Sequence, residues 1–396
     1  MYTEIYKPTL NGVVVSIETF REQLEALGHS VYVFGPSVQE APDPCLIPFH
    51  SLPLPTSTDY RLVTPFRMQG QVPSLDVIHA QCPFVTGLLA WQHARRIRVP
   101  LIFTYHTRLV DYSHYVPLAP PVSKALLTWI SRTYSNMADR VVVPAAPIKE
   151  LLESYGVDVP IDIVPTEVRL QPASALAGER VRARLGIPPA HRVLLYVGRL
   201  AREKNLDLLL DAFAVARSEG VRLVIVGDGP ERIPLEAHAK TLELGESVIF
   251  VGPVARDAIA AWYRTADLFV FTSLTETQGL VVDEALQLGL PVLAIAAGGV
   301  VDVVHRWPGG ELVDSHEDRD IMTANYVRAL RGLLDDAPRL NRLRIQAASN
   351  VNHGGIGPST LHLLSIYETA IAAGPRLRRR LSQSSFKSLK ALARRR

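Results

Sequence analysis

The feature that most constrains the fold is a repeated alternation, in which short apolar runs are each followed by a helical pattern. In the first part of the chain these runs are residues 31–34, 77–79, 101–105, 140–143 and 161–164. Strands that alternate with helices in this way predict a parallel, doubly wound sheet. The predicted fold class is therefore α/β.

A second series of the same kind begins after the looser stretch 169–192. Its apolar runs are residues 193–197, 222–226, 248–251, 268–271 and 291–295. Two series of similar length predict two Rossmann-like domains, and such sheets bind ligands at the carboxyl ends of their strands. We therefore expect an active site in the cleft between the N-terminal and the C-terminal domain.

The expected domain limits follow from the two series. The N-terminal domain takes residues 1–168 and the C-terminal domain residues 169–357. Residues 358–375 are expected to form a helix that packs back on the N-terminal domain, and residues 376–396 a basic amphipathic tail. Only about five residues precede the turn formed by residues 6–12, whereas a buried strand usually needs roughly 4 to 8 residues. We therefore expect the first strand to be truncated.

Composition excludes several classes of protein. The chain has 396 residues, of which 47% are hydrophobic and 20% charged, and only two cysteines. Two cysteines cannot form a disulfide framework. No stretch approaches the roughly 18 to 20 apolar residues of a transmembrane helix, and the start of the chain has no signal-peptide pattern. We therefore expect a cytoplasmic protein.

The charge is distributed unevenly along the chain. Residues 376–396 hold nine of the 42 Lys and Arg and no acid, which leaves 33 bases against 39 acids elsewhere. A concentrated basic tail on a mildly acidic body indicates contact with phosphate groups, either of anionic lipid or of nucleic acid.

The strongest motif is residues 275–286, which follow an apolar run. Gly279 is expected to open a helix whose first amides, with the positive end of the helix dipole, suit a sugar hydroxyl or a phosphate oxygen. Glu284 lies on this helix and Glu276 on the preceding loop, so the two carboxylates can reach two parts of one extended ligand. The alternative is one acid that favours the dipole and one solvated glutamate.

A second motif follows the first strand of the second series. Gly198 lets the backbone approach a ligand, and Arg199 and Lys204 are placed at the carboxyl edge of the sheet. Two cations there can neutralise a diphosphate leaving group as its charge develops. The alternative is a surface loop with ordinary charges.

The first series offers weaker candidates. Asn11 and Gly12 form a turn into a helix, which is either a ligand-binding turn or a simple N-cap. His106 directly follows a strand, where a histidine can hydrogen-bond a substrate hydroxyl. His79 and Gln81 are placed similarly after an earlier strand, with a weaker argument.

These residues together resemble the retaining, family-4-type glycosyltransferases, whose signature is two glutamates separated by seven residues. Glu276 and Glu284 match that spacing. The match spans nearly the whole chain and implies the GT-B architecture. The motifs are most similar to those of bacterial 1,2-diacylglycerol 3-alpha-glucosyltransferases. They are Thr275-Glu276-Thr277-Gln278-Gly279, Thr104-Tyr105-His106-Thr107, Asp111-Tyr112, His114-Tyr115 and the stretch from Ser131-Arg132 to Tyr134.

The resemblance implies a hexosyltransferase that moves glucose from UDP-glucose, or galactose from UDP-galactose, to diacylglycerol with an α linkage. It assigns a role to each site residue. His106 would touch the sugar near the anomeric centre and Glu276 another part of it. Glu284 would bind the ribose, Arg199 and Lys204 the diphosphate, and the backbone near Gly252 the base. The remaining donor contacts would come from Asn11, Gly12, Gly198, Thr277, Gln278, Gly279 and Leu280.

The reaction needs electrostatic stabilisation rather than a metal, and Mg²⁺ has no assigned ligands. A lipid acceptor gives the basic tail a purpose, because Phe386, Leu389 and Leu392 recur at helical spacing among its bases. Residues 119–130 are expected to give a second membrane contact, so the enzyme would bind the inner face of the cell membrane peripherally. Glu167 departs from the family, which usually has glycine there.

Two other readings stay open. One is a related glycosyltransferase that uses phosphatidylinositol, a glycolipid or a soluble glycan as its acceptor. The other is a protein of another class, either a sugar-nucleotide epimerase or a nucleic-acid binder. The second reading is disfavoured, because an epimerase does not need the full set of cations and paired glutamates. Nucleic-acid binding would require bases and aromatic residues across a whole face.

Overall fold

The computed structural model describes residues 1–7, 9, 11–36, 45–54, 57–68, 73–116, 118–350 and 356–376. The chain divides into two units: unit 1 holds Met1–Glu167 and the chain from Ile356 onward, and unit 2 holds Val168–Gly355. The hydrophobic tail motif of residues 386–392 lies outside the described residues. No helix within the described ranges has both the length and the apolar character needed to cross a membrane.

Unit 1 contains seven strands in its described part. They are β1 (Val33–Pro36), β2 (Leu46–Leu54), β3 (Ser57–Met68), β4 (Ile78–Ala80), β5 (Leu101–Thr104), β6 (Arg140–Val143) and β7 (Ile161–Ile163). β4 to β7 form one parallel sheet in chain order, while β1 pairs parallel with β2, which pairs antiparallel with β3. The antiparallel pair was not predicted, because Pro48 and Pro53 weaken the strand signal there.

The first residues of the chain lie between these two sheets. Tyr2 bridges in parallel to Phe34 of β1 and to Ala80 of β4. Its N–H donates to the carbonyl of His79 at 2.8 Å, and its own carbonyl accepts from the N–H of Gln81 at 2.8 Å. The segment therefore takes the place of a central strand with only a few residues.

The helices that cover the unit 1 sheet are α1 (Gly12–Ala26), α2 (Val85–Ile97), α3 (Pro120–Met137) and α4 (Ala146–Ser154). Their limits follow from local chemistry. Pro120 occupies the first turn of α3, where the missing N–H costs nothing. Arg98 ends α2 in the left-handed conformation, with φ of 61°.

Unit 2 is built on one parallel sheet. Its strands are β8 (Arg192–Val197), β9 (Val221–Val226), β10 (Val248–Gly252), β11 (Leu268–Phe271), β12 (Val292–Ala296) and β13 (Gly310–Asp314). Their order across the sheet is β10-β9-β8-β11-β12-β13. This is the Rossmann order, in which the direction of winding reverses between β8 and β11. The predicted α/β fold class is confirmed.

The helices of unit 2 are α5 (Ala175–Arg184), α6 (Leu206–Ala216), α7 (Arg232–Thr241), α8 (Ile259–Thr265), α9 (Leu280–Gln287), α10 (Val300–Arg306), α11 (Arg319–Asp335) and α12 (Ala337–Ala348). Every residue of β11 is buried. Because successive side chains of a strand point to opposite faces, this sheet is covered on both sides.

The last helix, α13 (Pro358–Ala373), belongs to unit 1. Leu363, Ile366 and Ala370 pack in one buried cluster with Phe20 and Leu24 of α1. Glu167 fixes the beginning of α13, because its Oε1 accepts a hydrogen bond from the N–H of Ser359 at 2.8 Å. The non-glycine residue at this position therefore caps a helix.

Candidate functional site

The carboxyl ends of β8 and β11 lie side by side where the strand order of unit 2 reverses. Gly198 and Arg199 follow β8, and Glu276 follows β11 on the adjacent loop. Lys204 ends a short 3₁₀ turn, and its Nζ lies 2.5 Å from Oε1 of Glu276. The structure thus brings the two predicted sequence motifs together at the position where such sheets bind ligands.

The Lys204–Glu276 pair is charged and mostly buried, with the two side chains 18% and 16% exposed. Burial opposes the charge on the ammonium group, but the Glu276 carboxylate, Tyr196 and Glu203 together outweigh it, and the pKa of Lys204 is raised. The cation is therefore retained at neutral pH. A ligand that carries both hydroxyl and phosphate groups can engage the two members of this pair separately.

Two hydroxyl groups that follow β11 hold the turn that carries Lys204. Thr272 Oγ1 donates to the carbonyls of Lys204 and Asn205, each at 3.1 Å. Ser273 Oγ donates to the carbonyl of Glu203 at 3.3 Å. Asn205 then adopts the left-handed conformation, with φ of 58°, and α6 begins at the next residue. Lys204 is therefore positioned by the neighbouring strand end.

Close packing of backbone explains the glycines at this edge. A Cβ on Gly227 would lie 1.9 Å from the carbonyl oxygen of Gly198, and this distance is too short for any side chain at position 227. The N–H of Gly227 donates to the carbonyl of Gly252 at 2.9 Å. The ends of β8, β9 and β10 thus form one bare backbone surface beside the charged pair.

Glu284 lies on α9 and is only 2% exposed. The hydroxyl of Tyr263 donates to its Oε2 at 2.6 Å, and the guanidinium of Arg256 pairs with its Oε1. Burial raises the pKa of Tyr263, which keeps its hydroxyl protonated as a donor. The second predicted glutamate is therefore held in place by two partners.

Sequence reasoning missed Arg256 and Tyr263. Arg256 follows β10 at the carboxyl edge of the sheet, so the rule that selected Arg199 would also have selected it. Tyr263 lies within the buried helix α8 and gave no comparable signal.

The segment that leads into α9 contributes backbone rather than side chains. Gly279 precedes the helix with φ of 85°, a conformation that favours glycine. Gln278 is 5% exposed, with its amide 3.5 Å from Oδ2 of Asp283. Burial raises the pKa of Asp283 to about 6. The Gln278 side chain therefore faces inward.

The corresponding edge of unit 1 carries neutral groups. His106 follows β5, and its Nε2 lies 2.7 Å from Oε1 of Gln81. Burial lowers the pKa of His106 to about 4, so the ring is neutral at physiological pH. With the amide oxygen as acceptor, the ring donates from Nε2.

Two other unit 1 candidates have structural roles. His79 is buried, with Nδ1 2.6 Å from the hydroxyl of Tyr367 and Nε2 2.6 Å from Oγ1 of Thr104, so it ties α13 to the sheet. Asn11 is an N-cap, since its Oδ1 accepts from the N–H of Val14 at 3.0 Å. Gly12 begins α1 and remains exposed.

Family models match both parts of the chain. Residues 10–171 match "Glycosyltransferase Family 4" and residues 178–349 match "Glycosyl transferases group 1". An alpha-monoglucosyldiacylglycerol synthase of Streptococcus pneumoniae is 34% identical over 308 residues, which cover 74% of this chain and 70% of that protein.

Two further relatives act on other molecules. A GDP-mannose-dependent alpha-mannosyltransferase of Corynebacterium glutamicum is 30% identical, covering 84% of this chain and 80% of that protein. A D-inositol 3-phosphate glycosyltransferase of Catenulispora acidiphila is 32% identical, covering 76% and 73%. Similar identity therefore accompanies relatives whose names give different donors or acceptors.

Solved structures share the fold. Sucrose-phosphate synthase from Thermosynechococcus elongatus has a TM-score of 0.70 at 22% identity and covers 93% of this chain and 96% of its own. Anabaena HepE in complex with UDP-glucose has a TM-score of 0.70 at 17% identity, covering 92% and 98%. The chain belongs to the family-4-type glycosyltransferases of GT-B fold and is a hexosyltransferase.

Proposed function

We propose that the protein transfers glucose from UDP-glucose to the free hydroxyl of diacylglycerol and forms an α linkage. The observation that carries this proposal is the Lys204–Glu276 pair, which lies where the strand order of unit 2 reverses. The pneumococcal diacylglycerol glycolipid synthase supports the acceptor, and HepE, solved with UDP-glucose, supports the nucleotide sugar.

The proposed donor site divides the ligand among charged groups. Lys204 and Arg199 take the diphosphate, and Glu276 accepts hydrogen bonds from sugar hydroxyls. Glu284, oriented by Tyr263 and Arg256, accepts the ribose hydroxyls. Because Lys204 and Glu276 pair with each other, donor binding would replace this one contact with two, a charged contact of Lys204 with the diphosphate and hydrogen bonds from sugar hydroxyls to Glu276.

The reaction is a substitution at the anomeric carbon. The bond from C1 to the diphosphate oxygen breaks and the bond from C1 to the acceptor oxygen forms on the same face of the sugar. The acceptor proton passes to a phosphate oxygen of the departing UDP. Lys204 and Arg199 stabilise the charge that develops on this leaving group, and such preorganised groups lower the barrier most when water is excluded.

His106 is proposed to bind the sugar as a neutral group. With a pKa of about 4 its ring lacks the second proton of an imidazolium at pH 7, so it acts as a hydrogen-bond partner of a hydroxyl rather than as an acid. Gln81 fixes the ring through its 2.7 Å contact.

A membrane surface is the proposed location of the acceptor. Leu118 and Val122, near the beginning of α3, are 49% and 52% exposed, and Lys124 follows them. Exposed apolar side chains beside a base suit an anionic bilayer surface. The basic segment 377–396 lies outside the described residues and is proposed as the second contact.

A mannosyltransferase is the second candidate, favoured by the relative that covers 84% of this chain. The charged pair fits GDP-mannose equally well, because it addresses the diphosphate and not the base. The acceptor alternatives of that reading are an inositol phosphate or a soluble glycan.

The experiment supplies purified protein with radiolabelled UDP-glucose, UDP-galactose or GDP-mannose and vesicles of diacylglycerol with anionic lipid. We expect labelled glycolipid from UDP-glucose, identified by chromatography and mass. Deletion of residues 376–396 is expected to reduce vesicle binding and to spare turnover on detergent-dispersed lipid. Product from GDP-mannose alone, or no lipid product from any of the three, contradicts the proposal.

A further inference from the structure

Unit 2 contains a cavity of about 740 Å³ at the edge of the sheet opposite the proposed donor site. It lies where β11 and β12 begin, because Asp267 and Pro291, the residues before these strands, line it. The cavity has the size of a small-molecule site. Neither the family motifs nor the proposed reaction uses it.

The lining carries an excess of positive charge. Arg169, Arg182, Arg264 and Arg344 contribute four guanidinium groups, against the two carboxylates of Glu179 and Asp267. Guanidinium groups bind phosphate oxygens in a bidentate manner, so the lining chemistry favours a phosphate-bearing anion.

Part of this charge is already fixed in place. Asp267 accepts from Arg182 Nη2 and from Arg344 Nη2, each at 2.8 Å, and from the N–H of Val193 at 2.8 Å. Arg182 also donates to the carbonyls of Thr265 and His191. Two arginines thus share one carboxylate, which leaves one net positive charge on this wall.

The other two arginines, Arg169 and Arg264, are exposed, and neither forms an ion pair with another described residue. The backbone beside Arg264 is closely packed, because a Cβ on Gly178 of α5 would lie 2.8 Å from the carbonyl oxygen of Arg264. This wall is therefore formed by the close contact of α5 with α8.

The cavity wall also contacts the residue that holds Glu284. Tyr263 lines the cavity, and its hydroxyl donates to Glu284. The helix that carries Glu284 ends at Gln287, which also lines the cavity. An occupant that shifts α8 or the end of α9 by a fraction of an ångström changes the position of this carboxylate.

We propose that the cavity binds a phosphate-bearing anion and that its occupant changes the affinity of unit 2 for the nucleotide sugar. The phosphate comes either from a free metabolite or from a lipid headgroup. The coupling part rests on the proposed function, because it assumes that Glu284 binds the donor, whereas the binding part does not. Coupling is reciprocal, so the nucleotide changes the affinity for the anion by the same factor.

The binding test uses the full chain with saturating UDP and radiolabelled glycerol 3-phosphate in equilibrium dialysis, and flotation with phosphatidylglycerol vesicles. The variant Arg169→Glu/Arg264→Glu is compared with Arg328→Glu, an exposed α11 arginine outside the cavity. We expect the double variant to lose at least tenfold in affinity for glycerol 3-phosphate, and Arg328→Glu to match the wild type. If the double variant loses binding to the vesicles alone, the phosphate group belongs to a lipid headgroup. Equal binding by all forms overturns the proposal.

The coupling test measures UDP-glucose affinity with and without glycerol 3-phosphate, or with the vesicles where only they bind. We expect a threefold or larger change in the wild type and in Arg328→Glu, and none in the double variant. Anion binding without any such change overturns the coupling and keeps the site. Failure of UDP-glucose to bind at all contradicts the proposed function instead, and leaves the dialysis result standing.

Discussion

Unit 1 and unit 2 place different chemistry at equivalent edges of similar sheets. In unit 2 the edge carries Lys204 and Glu276, a charged pair with a raised lysine pKa. In unit 1 the same edge carries His106 and Gln81, a neutral pair with a histidine pKa of about 4. One edge suits a polyanion, and the other suits a hydroxyl-bearing ligand.

This difference shows that strand order fixes where a ligand lies and side chains fix which ligand it is. In unit 2 the strand order reverses between β8 and β11, and the glycines that follow β8 and β9 bring backbone close to that point. The charge of unit 2 is preserved because a cation and a carboxylate stabilise each other. The neutrality of unit 1 is preserved because burial of the imidazole opposes its protonation.

The largest expected effect is at the charged pair. Lys204→Ala is expected to lower kcat for transfer by about 10²- to 10³-fold, the typical loss when one preorganised group at a leaving group is removed. Steady-state kinetics against the exposed control Lys240→Ala, on α7, measure it. Wild-type turnover in a folded Lys204→Ala protein would remove this residue from the site.

The next effect concerns the partners of Glu284. Arg256→Ala is expected to raise the KM for the nucleotide sugar about tenfold, because a hydrogen bond to a charged group contributes roughly 1.5 to 3 kcal/mol. Arg256→Lys should restore part of the loss and Tyr263→Phe should lose less. An unchanged KM with a lowered kcat in Arg256→Ala would place the residue elsewhere in the mechanism.

The neutral pair predicts a pH profile. His106 binds its proton with a pKa of about 4 when folded and near 6.5 when unfolded, so the unfolded chain binds more protons between these values. Its contribution to stability therefore rises from pH 4 to pH 6.5 and is constant above. Denaturant titrations should show a shallower rise in His106→Gln. Burial also lowers the pKa of His79, so part of the rise in stability with pH persists in His106→Gln.

The same group predicts that activity does not follow His106 ionisation above pH 5. His106→Gln keeps a hydrogen-bonding side chain and is expected to lower transfer by less than Lys204→Ala does. A wild-type pH–rate profile with an inflection near 6.5 that disappears in His106→Gln would contradict this prediction, because it would show that the charge state of His106 controls the rate.

The smallest effect concerns the cap of α13. Glu167→Gly removes the acceptor of the Ser359 N–H and is expected to lower the free energy of unfolding by about 1 kcal/mol. Glu167→Gln keeps an acceptor and should lose less. Equal stability of all three forms would show that the contact contributes nothing measurable.

Much of this arrangement follows from the sequence. The strands of unit 2 were predicted within a residue or so, since continuous apolar runs mark strands covered on both faces. β13 was missed because Gly310 and Glu311 interrupt its apolar pattern. The antiparallel pair β2–β3 in unit 1 was missed because prolines weaken the strand signal in its sequence.

The site was predicted less completely than the fold. Lys204, Glu276 and His106 were predicted from their place after a strand, because a residue that follows a strand of a parallel sheet lies at the carboxyl edge of that sheet. Two ion pairs were not predicted, that of Lys204 with Glu276 and that of Arg256 with Glu284. Both depend on side-chain geometry between segments that are distant in sequence. For the same reason His79 was not recognised as a partner of Tyr367, 288 residues further along.

The most direct test of the contrast between the two edges is equilibrium dialysis of radiolabelled UDP-glucose with the wild type, Lys204→Ala and His106→Gln. We predict that Lys204→Ala loses at least tenfold in affinity while His106→Gln stays within about threefold of the wild type, since the diphosphate dominates binding. The reverse ranking, or equal affinity of all three forms, would contradict the assignment of the nucleotide sugar to unit 2.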